Sequence, residues 1–396
     1  MQKTPVIKKV VFIISTIVFL FFGCKYEPVS QYTYRQPEQL QDGIAVGSLA
    51  AVNLDSSLIE LGVRNIQDGR FGEVHSMLIY RDGKLVLDAY FQGHKYQWGA
   101  PDHYGAWVPW NATMPHTVHS VSKSITSLCI GIALDTGFIK SVDQSIFDYL
   151  PDHQQFNTEG KQAITIEHLL TMTSGLQWAE WNAPLSSVEN DQVGIYFADT
   201  DPVNFILDRP LVFTPGTHFN YSGGNIQLLR AILENATRMP FDSFSQKYLF
   251  EPLHADSSYW SLRFRTGEIM AASGLNQTPR EMVKIGTVML NKGIWNGVRI
   301  ISENWVEKSG QSFAGISGIK VPGEDFGRVG YSYTWWTKEF SNSGRKIKMY
   351  WANGWGGQKI MVFPELNMVI VFTGANYMSK VKELKILEKY VLPALR

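Results

Sequence analysis

The chain of 396 residues is poor in cysteine, in net charge and in long apolar runs. Its two cysteines, Cys24 and Cys129, are too few for a disulfide framework or a cysteine-built structural zinc site. Basic and acidic residues both number 36, so the basic excess with which a nucleic-acid binder neutralises phosphates is missing. No nucleic-acid partner is therefore expected. No His-Glu-x-x-His occurs, and the i, i+3 pair His116 and His119 has no third ligand at a suitable spacing, so no metal is expected. There is no internal repeat. The chain does hold 44% apolar and 18% charged residues, the balance of a globular protein rather than a disordered one. Its length allows a large core without covalent staples. Thirty-four glycines and twelve tryptophans point to many tight turns and an aromatic-rich surface or cleft.

The one strong apolar run is N-terminal. Lys3, Lys8 and Lys9 precede Val10 to Phe22, and Gly23-Cys24 follows. The run is short for a spanning helix, which needs about 20 residues. It fits the core of an export signal. A small residue followed by cysteine resembles a bacterial lipoprotein signal, which implies cleavage after residue 23, lipidation of Cys24 and a lipid anchor in the cell envelope. A retained membrane anchor is the other reading. Removing residues 1–23 takes away three lysines and no acid, leaving a slightly acidic chain. Residues 24–45, polar with Pro28 and Pro37, read as a tether. Cys129, in an apolar run, is expected to be a buried small hydrophobe.

Further along, apolar runs on either side of Arg81-Asp82-Gly83-Lys84 predict a hairpin over 77–91. Pro101 to Pro115 reads as loop. Ser120 to Ala133 is a helix stopped by Gly137. Thr165 caps a helix to Thr173, with Gly175 beyond it, and Gln227 to Glu234 is another. Thr278-Pro279-Arg280-Glu281 is a capping box leading a helix to about Asn291. β-rich runs follow at 331–336, 346–351, 359–363 and 368–373, with a loop at Pro364–Asn367 and a closing helix over 381–392. Strands near both ends and helices between them predict an α/β (α+β) fold. One antiparallel sheet is built from both chain ends, at about 46–140 and 271–396, with a mostly helical subdomain inserted at about 141–270.

Ser120-Val121-Ser122-Lys123 carries the chemistry. Residues i and i+3 on a helix are neighbours, so a lysine amine can reach the serine hydroxyl. Serine becomes a useful nucleophile only when a base takes its proton. Burial and the positive end of the helix dipole are expected to favour neutral Lys123. The same helix start offers backbone N–H groups to an oxyanion. The four-letter pattern recurs at Ser317, Ser343 and Ser379, but Ser120 alone opens a long apolar helix that would bury its lysine.

With this motif the chain resembles the serine β-lactamase and penicillin-binding superfamily. Segments matching in order are 119–124, Leu169 to Leu176, Pro215-Gly216-Thr217 through Gly224, and Ala352 to Gln358. Within that group, Trp178-Ala179-Glu180 and Ala352 to Gln358 look most like the 6-aminohexanoate-dimer hydrolase and family VIII esterase subgroup. The resemblance implies a β-lactamase/transpeptidase-like fold, Ser120 as acylated nucleophile, Lys123 as its activator and Tyr221 as a proton relay. Backbone N–H groups of Ser120 and Trp355 would form the oxyanion hole. Asn353, Gly354, Trp355 and Trp178 would contact substrate, and no cofactor is implied. Two positions depart from the pattern. The Asn common two residues after the tyrosine is Gly223, with Asn220 and Asn225 as possible stand-ins. The Lys or His that usually starts the third motif is Ala352. The expectation is a lipid-anchored serine hydrolase acting on a small ester, amide or peptide. A D,D-peptidase or β-lactamase is the enzymatic alternative, and a catalytically silent binding or sensor module on the same fold is the non-enzymatic one.

Overall fold

The computed structural model describes residues 32–342 and 345–396. The segment read as an export signal, Cys24, residues 25–31 of the expected tether and Ser343 lie outside these residues.

Helix α1 (Ser56–Gln67) precedes strands β1 (Val74–Arg81) and β2 (Lys84–Tyr90). Asp82 and Gly83 turn this hairpin with positive φ at both positions, as a two-residue turn that follows strand twist requires. A second hairpin, β3 (Gln92–Tyr96) and β4 (Tyr104–Pro109), follows. The loop expected over 101–115 therefore contains a strand. Val108 and Trp107 face Gly93 and His94 across the ladder, a long-range pairing that the Trp, Pro and Gly of the segment obscure. Strand β5 (His116–Thr117) leads into α2 (Val121–Asp135).

The middle of the chain holds α3 (Ile166–Leu170), α4 (Asp191–Phe197), α5 (Pro202–Leu207), α6 (Gly223–Thr237) and α7 (Phe241–Ser245). Thr165 caps α3 as expected, in a box closed by His168, but Met172 at φ 60° ends the helix early. Helix α6 is longer than its apolar stretch, because Ser222 caps it by accepting from the Asn225 N–H. Strands β6 (Tyr259–Trp260) and β7 (Leu275–Gln277) join β5 in a small sheet. The Thr278–Glu281 capping box starts α8 (Pro279–Leu290). The hairpin β8 (Ile294–Trp295) and β9 (Val298–Arg299) and helix α9 (Glu303–Ser309) follow.

The remaining strands are β10 (Ile319–Lys320), β11 (Arg328–Ser332), β12 (Trp335–Asn342), β13 (Arg345–Gly354), β14 (Gln358–Phe363) and β15 (Met368–Gly374). With β1 and β2 they form an eight-stranded antiparallel sheet in the order β10-β11-β12-β13-β14-β15-β1-β2. The run expected as one strand over 331–336 is split by a turn. Tyr333 and Thr334 both take positive φ, and tertiary bonds hold them there: the Thr334 N–H donates to the Leu170 carbonyl, and its own carbonyl accepts from Ser124 Oγ at 2.8 Å. The closing helix is short, with α10 (Glu383–Ile386) passing into a π-helical turn over Leu387–Val391. Ser379 lies before this helix.

Helix α2 has no polar face to the solvent. Every residue from Val121 to Ala133 is buried, Cys129 among them, and burial raises the Cys129 thiol pKa. Each fully buried Ile or Leu here is worth about 1.5–3 kcal/mol of apolar transfer. Gly131 lies tight against two neighbours: a Cβ there would lie 2.6 Å from both Ile301 Cδ1 and Trp305 Cδ2. Alanine would gain about 1 kcal/mol of helix propensity, but overpacking a dense core costs about 1–3 kcal/mol. Gly131→Ala is expected to destabilise the protein by about 1 kcal/mol net, read as a lower urea midpoint at unchanged slope.

Candidate active site

The start of α2 opens onto a cavity of about 500 Å³, bounded by the end of β13, the loops of the helical region and the β3–β4 hairpin. Ser120 stands at the N-cap position, yet its hydroxyl makes no capping bond. It accepts instead from Lys123 Nζ at 2.9 Å, one helical turn on. The cap forgone is worth about 0.5–2 kcal/mol, so the hydroxyl is committed to the lysine at some cost in helix stability. Lys123 also donates to the Ala272 carbonyl at 3.2 Å and lies 4.9 Å from the centre of the Tyr221 ring. Tyr221 lines the same cavity wall, close enough for Ser120 and Lys123 to act on its phenol. The three residues singled out from the sequence thus converge on one point of the cavity wall.

The electrostatics differ from the expectation. Burial opposes the charged ammonium, but Tyr221 and Glu180 outweigh it and hold the Lys123 pKa above its ordinary value. Burial raises the Tyr221 pKa, and Glu180 adds to this, while Lys123 pulls the other way without prevailing. The resting pair is an ammonium beside a neutral phenol, not the neutral lysine that burial and the helix dipole alone would favour. Besides Tyr221, the contribution that the sequence reading lacked is Glu180, whose Oε1 is 3.7 Å from Lys123 Nζ. Its Oε2 accepts from Trp178 Nε1 at 2.9 Å and from the Gly223 N–H at 2.7 Å. The sequence contained Glu180 only as part of a resemblance, with no spacing to Lys123 that could have marked it.

Aromatic rings form much of the cavity wall. Trp181 stacks on Tyr221 with centroids 4.8 Å apart, and Trp336 lies 5.8 Å from the same ring. Trp355 also lines the cavity, its ring fixed by a bond from Nε1 to the Tyr377 carbonyl. Among the described residues, the backbone N–H groups of Ser120 and Trp355 have no acceptor within the protein. His119 sits beside Trp355, and burial depresses its pKa to about 3, so it is neutral at any ordinary pH. His116 instead packs on Trp110 and His75, so the two histidines belong to different aromatic clusters.

Three of the four expected contacts read differently in three dimensions. Trp178 is buried beneath the site, packed against Gly224, and does not line the cavity; Trp181 does. Gly354 does not line the cavity; a Cβ there would meet the Val118 carbonyl at 2.3 Å, so its smallness serves the packing of β13 on the segment before Ser120. Asn353 does line it, but its Oδ1 accepts from Lys359, which also pairs with Glu324 at 2.9 Å. Neither asparagine considered for the tyrosine motif reaches the site: Asn220 donates to the Trp178 carbonyl and Asn225 accepts from Ser174. Ala352 is fully buried. Among the described residues lining the cavity, Lys123 is the single Lys or Arg, because Lys359 is itself buried and held by Glu324 and Asn353. Arg265 pairs with Asp199 at the surface, away from the cavity lining.

The chain and its fold are similar to those of known proteins. The chain is 26% identical over 266 residues to the 6-aminohexanoate-dimer hydrolase of Paenarthrobacter ureafaciens, a match covering 65% of each chain and so just under two thirds of that relative. The fold superposes on a family VIII carboxylesterase with a TM-score of 0.65 at 17% identity, covering 85% of this chain and 96% of that one. It also superposes on the octameric penicillin-binding protein homologue from Pyrococcus abyssi, with a TM-score of 0.59 at 20% identity over 86% and 78%. The family model described as Beta-lactamase matches residues 71–383, most of the chain and every segment that meets at the cavity. The chain belongs to the beta-lactamase family.

Proposed function

We propose that this chain is a serine hydrolase that cleaves an ester or an uncharged amide through an acyl-enzyme on Ser120. The observation that carries the reading is the Lys123 Nζ to Ser120 Oγ bond at 2.9 Å, with the Tyr221 ring centre 4.9 Å from the same ammonium. Serine Oγ attacks the substrate carbonyl carbon, and its proton passes to the Lys123–Tyr221 pair. The oxyanion is held by the Ser120 and Trp355 N–H groups. The pair then protonates the departing alcohol or amine, leaving an acyl ester on Ser120. A water attacks that ester and gives its proton to the same pair, which passes it to Ser120 Oγ as the acid is released. The pair must first lose one proton, because both members rest in their protonated forms.

The cavity suits an apolar or aromatic substrate without a carboxylate. Its walls combine indole and phenol rings with aliphatic side chains, and its two acids, Glu180 and Glu324, face no cation among the described residues other than Lys123 and the already paired Lys359. A carboxylate brought here would lose its hydration without gaining a partner. This is the physical argument against the D,D-peptidase and β-lactamase alternative. No observation favours a silent binding module, since the nucleophile's bonding is intact. The cell-envelope reading also belongs to the proposal. It is supported by the basic residues, apolar run and Gly23-Cys24 of the N-terminus.

A fluorophosphonate is expected to add once, at Ser120, by peptide mapping. Ser120→Ala should abolish labelling, and Lys123→Ala or Tyr221→Phe should lower p-nitrophenyl butyrate turnover by about 10²–10⁴-fold. A well-folded protein that takes no label would end the hydrolase reading in favour of the silent module. On nitrocefin, kcat/KM is expected to fall about 100-fold or more below that for p-nitrophenyl butyrate; comparable values would restore the β-lactamase alternative. In a bacterial host, metabolic palmitate labelling and membrane fractionation of the full chain should both be lost in Cys24→Ala; a mutant that stays in the membrane would point to a retained apolar anchor.

A further inference from the structure

The second residue after Tyr221 is glycine, where the resemblance led us to expect an amide side chain. The surroundings of Gly223 explain why nothing larger is there. A Cβ at this position would lie 1.8 Å from Gln192 Oε1 and 3.3 Å from Glu180 Oε2. The space is already filled by two side chains from elsewhere in the chain. The Gly223 N–H points at one of them, donating to Glu180 Oε2 at 2.7 Å. Trp178 Nε1 holds the same oxygen at 2.9 Å. These two donors fix the carboxylate so that its other oxygen stands 3.7 Å from Lys123 Nζ. The arrangement is nearly dry: the side chains of Lys123 and Glu180 are 3% and 11% exposed.

We propose that Glu180 is the positioning residue that sets the protonation of the Lys123–Tyr221 pair, and with it the pH at which Ser120 becomes nucleophilic. This rests on the hydrolase reading above and deepens it. A fixed negative charge beside a buried ammonium stabilises the proton there, and it disfavours a phenolate at the same point. Glu180 does both. It therefore keeps the resting site electrically balanced among aromatic rings, and it delays loss of the proton that catalysis requires. Other groups facing the pair do not supply this charge. Tyr331, packed against Tyr221, is held neutral by burial. His119, next to the nucleophile, is neutral, and Gln192 and the Ala272 carbonyl carry no net charge. Asp191, which holds the Ala179 N–H, is paired with Arg209. Across the cavity, Glu324 is paired with Lys359.

The test is the pH profile of kcat/KM for p-nitrophenyl butyrate in wild type, Glu180→Gln and Glu180→Asp, with the pH dependence of fluorophosphonate labelling recorded alongside. The acid limb reports deprotonation of the Lys123–Tyr221 pair. Glu180→Gln removes the charge and should move that limb toward acid by about one pH unit or more. Glu180→Asp keeps the charge but draws it back by one methylene, and should move the limb the same way by less. A lower rate with an unmoved limb would make Glu180 merely structural and overturn the proposal, as would two profiles identical to wild type. Should Glu180→Gln fail to fold by circular dichroism, the aspartate variant decides by the same criterion. A wild type that neither labels nor turns over would overturn the hydrolase reading itself. A wild type that does both, with unmoved limbs in the variants, would overturn this inference alone.

Discussion

A buried ammonium at the start of a helix with no solvent face is the constraint around which the site is built. Lys123 sits on α2, whose residues are buried from Val121 to Ala133, so its charge cannot be answered by water. Removing one partner of a buried ion pair costs about 3–5 kcal/mol, and here the partner comes from a loop about sixty residues away in the chain. The demands of Lys123 explain much that surrounds it. Glu180 must be held in place, so Trp178 and the Gly223 N–H hold it. Position 223 must stay empty, so it is glycine. The Ser120 hydroxyl must receive the lysine's proton donor, so it does not cap its helix.

The third motif applies the same economy to a second charge. Lys359 on β14 lies opposite Asn353 on β13 and is fully buried. It is balanced by Glu324, with Asp325 and Glu383 near enough to act on the same cluster. Burial pushes the Glu383 carboxyl up to about 7, which shows how little negative charge that interior tolerates beyond what Lys359 neutralises. The positive charge near this motif is therefore consumed in holding β14 and the residue 321–325 segment together. What faces the cavity is an asparagine whose oxygen is already occupied, and a tryptophan ring. Apolar walls and internally spent charges make the cavity selective by what it fails to offer.

The parts of this arrangement that were legible in the sequence are those decided within a few residues. The i, i+3 serine and lysine, the Asp-Gly hairpin turn, the Thr278 capping box and the loop at Pro364–Asn367 all depend on local geometry, and all stand where the pattern puts them. Segments that depend on distant partners did not read correctly. Strand β4 pairs with β3 in a stretch whose composition suggests loop. The turn at Tyr333–Thr334 exists because Leu170 and Ser124 bind its backbone, although β-branched and aromatic residues disfavour positive φ. Trp178 and Trp181 look interchangeable in sequence, yet one is core and the other lines the cavity.

By itself the sequence determined that a serine and a lysine share a helical turn, that the helix is apolar enough to bury them, and that the ordered motifs assemble a known architecture. Spacing along a helix is a property of the backbone, so no further fold was needed to establish it. The charge state of that lysine was decided only by tertiary structure. Burial alone argued for a neutral amine, and the opposite outcome follows from Tyr221 together with a carboxylate that three-dimensional packing carries to within 3.7 Å. An electrostatic interaction depends on distance through space and on the dielectric between the charges, and neither can be read from positions along a chain.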